Sequence, residues 1–277
     1  IQLMLESDLI AVDTETTGLK VKDGRDYLMG ISIATKLDLG NYISAYFPFR
    51  HNVGENIDDP TILERVKELL ESKPSIYHNL KFDLHSLRTI DIHPSQTLYD
   101  TLTIAHMVNE EWPSKKLDWL AKLLLNEEKE DAVKVWADGF GWDQVSVALM
   151  TPYARHDAEL TFRLFENLWP KMKQQNLETL WPTELEYLHL LRQIETNAIE
   201  ADLGFCKEKI DIGLDIMAEC RKELGFNPGS SIDLNKFLIE DLKLPVVRRS
   251  PKTQKPSFDK KAMEIYDEIL AKDNRRE

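Results

Sequence analysis

Two carboxylates stand one residue apart at the end of a short apolar run. Asp13 and Glu15 close the stretch Leu9-Ile-Ala-Val-Asp-Thr-Glu-Thr-Thr-Gly-Leu19. Leu9 to Val12 has the length and flanks of a buried strand, and Gly18 marks the turn that follows. Side chains alternate along a strand, so Asp13 and Glu15 point to the same side. Two carboxylates held that way repel each other, and neither ionises cheaply unless a cation or a proton lies between them. Divalent-metal binding is the chemistry that fits, although a solvated strand end beside a helix cap would explain this pair taken alone.

Two further acids stand where apolar residues are expected. In the helical pattern Leu80 to Ile90 the apolar stripe is Leu80, Leu84 and Leu87, and Asp83 completes the same face. In the pattern beginning near Thr151 the stripe is Leu160, Leu164, Phe165 and Leu168, and stepping back by turns reaches Asp157 and then Tyr153. A single inward Asp is explained by a cap or an ion pair. Four carboxylates from three elements, all facing inward, need an external source of positive charge. Carboxylates without Cys, and without His at ligand spacing, suit hard cations such as Mg²⁺ or Mn²⁺. His51, His93, His106 and His189 are scattered, and His78, His85 and His156 read as outer or surface groups.

The elements that must position these residues begin with Asp8 to Thr14, Tyr27 to Ala34 and Asn41 to Phe47, three strands in a meander. Pro60 opens a helical pattern that ends before Pro74. Ser75 to His78 is a short strand, Leu80 to Ile90 a helix, Thr97 to Tyr99 a brief strand, and Thr101 to Val108 and Lys116 to Leu125 are helices. Asn126 to Ser146, rich in charge, Gly and Trp, reads as an irregular surface loop, and a helix runs from Thr151 at least to Met172. The pattern predicts an α/β domain, a mixed sheet flanked by helices, over residues 1–175. Residues 176–277 hold helical patterns at Trp181 to Thr196, Phe205 to Leu224, Ile232 to Leu242 and Phe258 to Ala271 and no convincing strand, so an all-α segment is expected there.

Composition bounds the rest. The 277 residues are 42% hydrophobic and 30% charged, enough for one large or two ordinary domains, each with its own core. No apolar run approaches the ~20 residues of a membrane span, and no signal peptide opens the chain, so the expectation is no membrane and a cytoplasmic setting. Cys206 and Cys220 share one helix-like stretch, which would hold them ~21 Å apart and excludes a disulfide between them. The net charge of −13 argues against a simple basic nucleic-acid glove. It leaves room for a nucleic-acid enzyme, because metal ions add local positive charge that a residue count omits. Residue 1 is not methionine, and the chain reads as a fragment.

Three stretches together resemble a known family. Asp13-Thr-Glu15, Asn79-Leu-Lys-Phe-Asp83 and Tyr153-Ala-Arg-His-Asp157 are similar, in order and spacing, to the three motifs of the DEDD superfamily of 3′–5′ exonucleases, in the subgroup with Tyr before the last Asp. The resemblance implies a ribonuclease H-like fold and two divalent ions, Mg²⁺ or Mn²⁺, straddling the scissile phosphate. It implies that Asp13, Glu15 and Asp157 coordinate metal with Asp13 shared, and that Asp83 reaches the metal mainly through water. Tyr153 with Glu15 would orient the attacking water, and Tyr153 is not expected to be the base, its ordinary pKa being ~10. Asn79 would hold the terminal nucleotide, Leu19 would wedge against its base, and Phe82 and Thr14 would complete the substrate contacts. Asp100 is expected to be structural.

The second half resembles the start of the polymerase region of family A DNA polymerases, at Glu184-Leu-Glu186, Ile194-Glu-Thr-Asn-Ala-Ile199, Leu224-Gly-Phe-Asn-Pro-Gly-Ser-Ser231 and Thr253-Gln-Lys-Pro-Ser-Phe-Asp259. Relatives usually carry Asn-Gly where this chain has Asn197-Ala198. The chain stops in what would be an early thumb helix, and nothing matches the palm and fingers, so the fragment is not expected to polymerise. Arg248, Arg249, Lys252 and Lys255 form a cluster suited to DNA-backbone phosphates or to a solvated loop. The implied function is proofreading: removal of nucleotides from a single-stranded or frayed 3′ end of DNA, in the bacterial host cytoplasm if phage-encoded. A ribonuclease D-type exoribonuclease and a catalytically inert DNA-docking module are the alternatives.

Overall fold

The computed structural model describes residues 1–37, 40–128 and 132–272. The chain divides into two compact units, Ile1–Ala198 and Ile199–Glu277. In the first, a short helix α1 (Gln2–Leu5) precedes strands β1 (Ile10–Thr16), β2 (Leu28–Lys36) and β3 (Tyr42–Pro48). Helix α2 (Pro60–Ser72), β4 (Ser75–Tyr77), α3 (Leu80–Arg88), β5 (Leu98–Asp100), α4 (Thr101–Val108), α5 (Leu117–Leu125), α6 (Ala132–Phe140), α7 (Val147–Gln174) and α8 (Trp181–Asn197) follow. The sheet order is β3-β2-β1-β4-β5: the first three strands are antiparallel, and β4 and β5 run parallel to β1. This is the expected mixed sheet flanked by helices. Two residues of the expected link between β2 and β3, Asp38 and Leu39, lie outside the described residues.

Alternation along β1 divides the core. Ile10 and Val12 face α2 and α3, packing with Val66, Leu69, Leu70, Leu80 and Leu87, whereas Ala11 faces α7 with Leu164, Phe165 and Leu168. Burying a Leu or Phe side chain contributes about 1.5–3 kcal/mol, so this alternation fixes which way Asp13 and Glu15 point.

The region expected to be a loop, residues 126–146, contains α6. Val133 and Ala137, one turn apart, are buried against Met29, Tyr46 and Met150, so tertiary packing overrides the local Gly and charge content. Helix α7 starts before the expected Thr151. Pro152 resembles a first-turn proline, but Ser146 is the cap, its Oγ accepting from the Leu149 amide at 3.3 Å. Helix α8 lies within the first compact unit, which ends at Ala198. Trp181 anchors it: the ring is buried beside Tyr99 and Trp169, and Nε1 donates to the Leu98 carbonyl at 3.0 Å.

The second unit holds α9 (Leu203–Leu224), α10 (Ser231–Leu234), a π-helical turn at Asn235–Asp241 and α11 (Lys260–Lys272). Its core is Leu238, Leu244, Ala262 and Tyr266. Cys206 and Cys220 both lie on α9 as free thiols. No helix among the described residues is long and apolar enough to cross a membrane.

Candidate active site

The acids gather at the C-terminal end of β1. Oxygens from Asp13, Glu15 and Asp157 all lie within 4.8 Å of one another. β1 supplies two of them through its alternation and α7 supplies the third across the sheet face it covers. Glu15 and Asp157 are buried, and Asp13 remains partly open. An all-carboxylate set at this spacing fits a hard divalent cation, which would neutralise charges that repel one another. Tyr153, one turn before Asp157, packs against the cluster of Met29, Tyr46 and Val145.

Asp83 comes from the other face of the sheet. Thr14, of opposite parity to Asp13 and Glu15, donates to Asp83 Oδ1 from its backbone N–H at 3.1 Å and its hydroxyl at 2.7 Å. Complete burial, and next the charge of Asp13, push the Asp83 carboxyl well above its ordinary range, while the Thr14 donors pull it back. The Thr14 side chain, expected to touch substrate, is thus engaged in holding Asp83. The start of α3 is fixed in turn by Asp100, which is buried and accepts from the Asn79 amide at 2.8 Å while capping α4 through the Leu102 amide at 3.2 Å. Asn79 adopts φ 81°, a left-handed conformation that Asn tolerates better than most residues.

Leu19, Asn79 and Phe82 come together around one cavity of about 230 Å³ beside the acids' helix. Leu19 is 84% exposed. The same cavity is lined by His85, expected to be an outer or surface group, and by Lys81 and Glu195, which sequence reasoning gave no role. Glu195 ion-pairs with Lys81 and lies 3.4 Å from His85 Nε2. The hydrogen bond from Lys81 holds the Glu195 carboxyl below its usual range. A signal existed, since Lys81 and His85 are one helical turn apart, but their partner is more than a hundred residues away. Arg248, Arg249, Lys252 and Lys255 lie in the second unit, where Arg248 meets Asp259 at 3.5 Å and Arg249 donates to the Gln254 carbonyl at 2.9 Å.

A buried pair was also missed. Tyr46 on β3 lies across Ser32 from Asp13, and its hydroxyl is 2.6 Å from His51 Nε2. His51 Nδ1 is 3.1 Å from the Val145 carbonyl. A carbonyl only accepts, so Nδ1 carries the proton and Nε2 accepts from the Tyr46 O–H. Burial, then Glu15 and Asp13, push Tyr46 ionisation upward, and burial lowers the proton affinity of His51. The neutral pair ties β3 to the segment that leads into α7.

The mixed sheet carries, at the end of its first strand, a carboxylate cluster that could hold a divalent cation. The chain belongs to the 3′–5′ exonuclease family, which it matches over residues 1–173, and its activity is that of a 3′–5′ exonuclease, a hydrolase. It is 30% identical to DNA polymerase I of Borreliella burgdorferi over 95% of this chain and 29% of that protein. It is 27% identical to the DNA polymerase of Escherichia phage T5 over 90% of this chain and 28% of that one. The chain therefore spans less than a third of these relatives. Among solved structures, the POL domain of Mycobacterium smegmatis Pol1, in complex with DNA primer-template and dNTP, superposes with TM-score 0.66 at 20% identity, covering 95% of this chain and 41% of that one. Brucella melitensis NrnC with bound Mg²⁺ gives TM-score 0.52 at 19% identity over 72% of this chain and 90% of that one. At these identities the superpositions speak to the fold.

Proposed function

We propose that the chain trims single nucleotides from the 3′ end of DNA as the proofreading exonuclease of a family A DNA polymerase. The observation that carries this reading is the convergence of Asp13, Glu15 and Asp157 oxygens within 4.8 Å. These three carboxylates would hold two Mg²⁺ or Mn²⁺ ions, with Asp83 facing the same centre from the opposite sheet face. Bound there, divalent ions would supply Lewis-acid chemistry for activating water and stabilising the leaving 3′ oxygen. The protein's own part is positional. Tyr153 and Glu15 orient the attacking water, Asn79 and Phe82 grip the terminal nucleotide, and Leu19 presses on its base.

DNA is favoured as substrate because the similar polymerases are DNA polymerases and the match to the Borreliella protein spans 95% of this chain, well past residue 173. Residues 176–277 then form the start of the polymerase region, whose palm and fingers would supply synthesis. Arg248, Arg249, Lys252 and Lys255 touch the duplex backbone. This reading goes with a cytoplasmic setting, that of the bacterial host if the chain is phage-encoded.

A site that holds unpaired nucleotides favours frayed ends, because melting a matched terminus costs free energy that a mismatch has already lost. The test uses 5′-labelled DNA primers with matched or mismatched 3′ ends and an RNA strand of the same sequence. Faster trimming of the mismatch, with DNA preferred over RNA, is expected. A preference for RNA would make the chain an exoribonuclease, and equal rates on both primers would remove the proofreading role.

A further inference from the structure

The C-terminal end of α3 carries a second concentration of charge, of the opposite sign to the catalytic centre. Arg88 is five residues beyond Asp83, about 7.5 Å along the helix axis. It lines a cavity of about 270 Å³ with His189, Arg192 and Gln193 from α8 and His93 and Gln96 from the loop before β5, and no carboxylate lines it. His93 is already paired with Asp91 at 3.1 Å. Arg88 and Arg192 have no ion pair among the described residues, and Arg192 Nε is buried without a hydrogen-bond acceptor.

Two guanidinium groups facing one cavity repel each other, and a buried donor without an acceptor costs about 1–3 kcal/mol. The charge on Arg192 is disfavoured by burial and then by Arg88, and His189 is disfavoured as a cation by burial and then by Arg192. Two guanidinium groups lining one cavity, one of them with a buried unpaired donor, are what a bound anion would resolve. The guanidinium fork matches phosphate oxygens, and the amide side chains of Gln96 and Gln193 add neutral donors. The cavity lies below the ~300 Å³ at which pockets for whole drug-sized ligands begin, which suits one phosphate group and not an entire cofactor.

We propose that this cavity is a second, non-catalytic anion site that takes a nucleotide phosphate, with Arg88 and Arg192 as its ligands. The phosphate belongs to a free mononucleotide, the product class of an exonuclease, or to the backbone of a strand lying along α3. Binding here does not depend on the reading of the carboxylate centre, and the test involves no turnover.

Inorganic phosphate is titrated calorimetrically into the full chain in EDTA, where the bare carboxylates repel anions. Saturable binding at one site per chain is expected, weakened about tenfold to a hundredfold by Arg88→Gln or Arg192→Gln. Lys122→Gln, which removes one positive charge from α5, leaves it unchanged. Arg88 is exposed, so Arg88→Gln keeps the test valid if Arg192→Gln fails to fold. Displacement of phosphate by dAMP identifies the free nucleotide, and displacement only by a single-stranded oligonucleotide identifies the strand. Absence of saturable binding, equal isotherms in the Arg88→Gln protein, or displacement by neither competitor would overturn the proposal.

Discussion

Gly30→Ala is the smallest substitution that should damage the active-site side of the sheet. Gly30 lies opposite Glu15 on β2 and keeps an ordinary strand backbone, so conformation gives no reason for a glycine there. Space does. A Cβ at Gly30 would fall on the Tyr46 hydroxyl and lie 2.5 Å from its Cζ. Tyr46 is only 8% exposed and its hydroxyl is committed to His51, so the ring has no open side to move into. Overpacking of this kind costs about 1–3 kcal/mol. Pulling the phenol off His51 leaves a buried nitrogen unsatisfied at about 1–3 kcal/mol more. Because one displacement causes both, the expected loss is about 2–4 kcal/mol, or about 5–15 °C in Tm for a unit of this size. All six tryptophans precede residue 199, so intrinsic fluorescence in a urea titration reports the first unit alone. Tyr46→Leu in the Gly30→Ala background should recover part of the loss by removing the ring. A Gly30→Ala protein within about 0.5 kcal/mol of wild type would refute the reasoning, since that is the scatter of inconsequential surface changes.

Two further outcomes are expected. Burial lowers the proton affinity of His51, and of His85 and His189, in the folded chain, whereas the unfolded chain takes up the same protons near pH ~6.5. Their contribution to stability is therefore complete above that pH and is lost as pH falls toward the depressed folded values. The urea midpoint should drop on acidification to about pH 5.5, and His51→Gln should drop less; equal drops would remove His51 from the account. Ala198 holds φ 55° with ψ −169°, near a region that essentially only glycine occupies. Ala198→Gly should stabilise the chain by about 1 kcal/mol in the same titration, after the entropy that glycine adds to the unfolded state, and a destabilised variant would show that the turn is unstrained.

Local signals carried most of the fold. The meander at β1 to β3, the parallel β4 and β5, and the helices bearing Asp83 and Asp157 all follow from periodicity, caps and turn residues close in sequence. The acids were visible because each breaks a local apolar pattern. That Asp83 approaches on the opposite face from the other three was implicit in the parity of Thr14, yet the hydrogen bonds joining them span 69 residues. The Tyr46–His51 pair and the Lys81–Glu195 ion pair left no such mark, because a Tyr, a His, a Lys and a Glu are ordinary in their own segments. Helix α6 was hidden for a related reason: Val133 and Ala137 become a buried face only once Met29, Tyr46 and Met150 are folded against them. The Asn197-Ala198 departure was legible, and its backbone falls where the absence of glycine is felt.

The claim that most of this rests on is that Asp13, Glu15 and Asp157 form the centre that cuts. The most direct test follows a 5′-labelled single-stranded DNA oligonucleotide with Mg²⁺, with EDTA, and with Asp13→Ala protein whose fold is verified by its fluorescence. Wild-type protein should give a ladder shortening from the 3′ end, lost in EDTA and slowed about a thousandfold or more by Asp13→Ala. A ladder that persists unchanged in the folded Asp13→Ala protein, or no ladder from wild type in either Mg²⁺ or Mn²⁺, would contradict it.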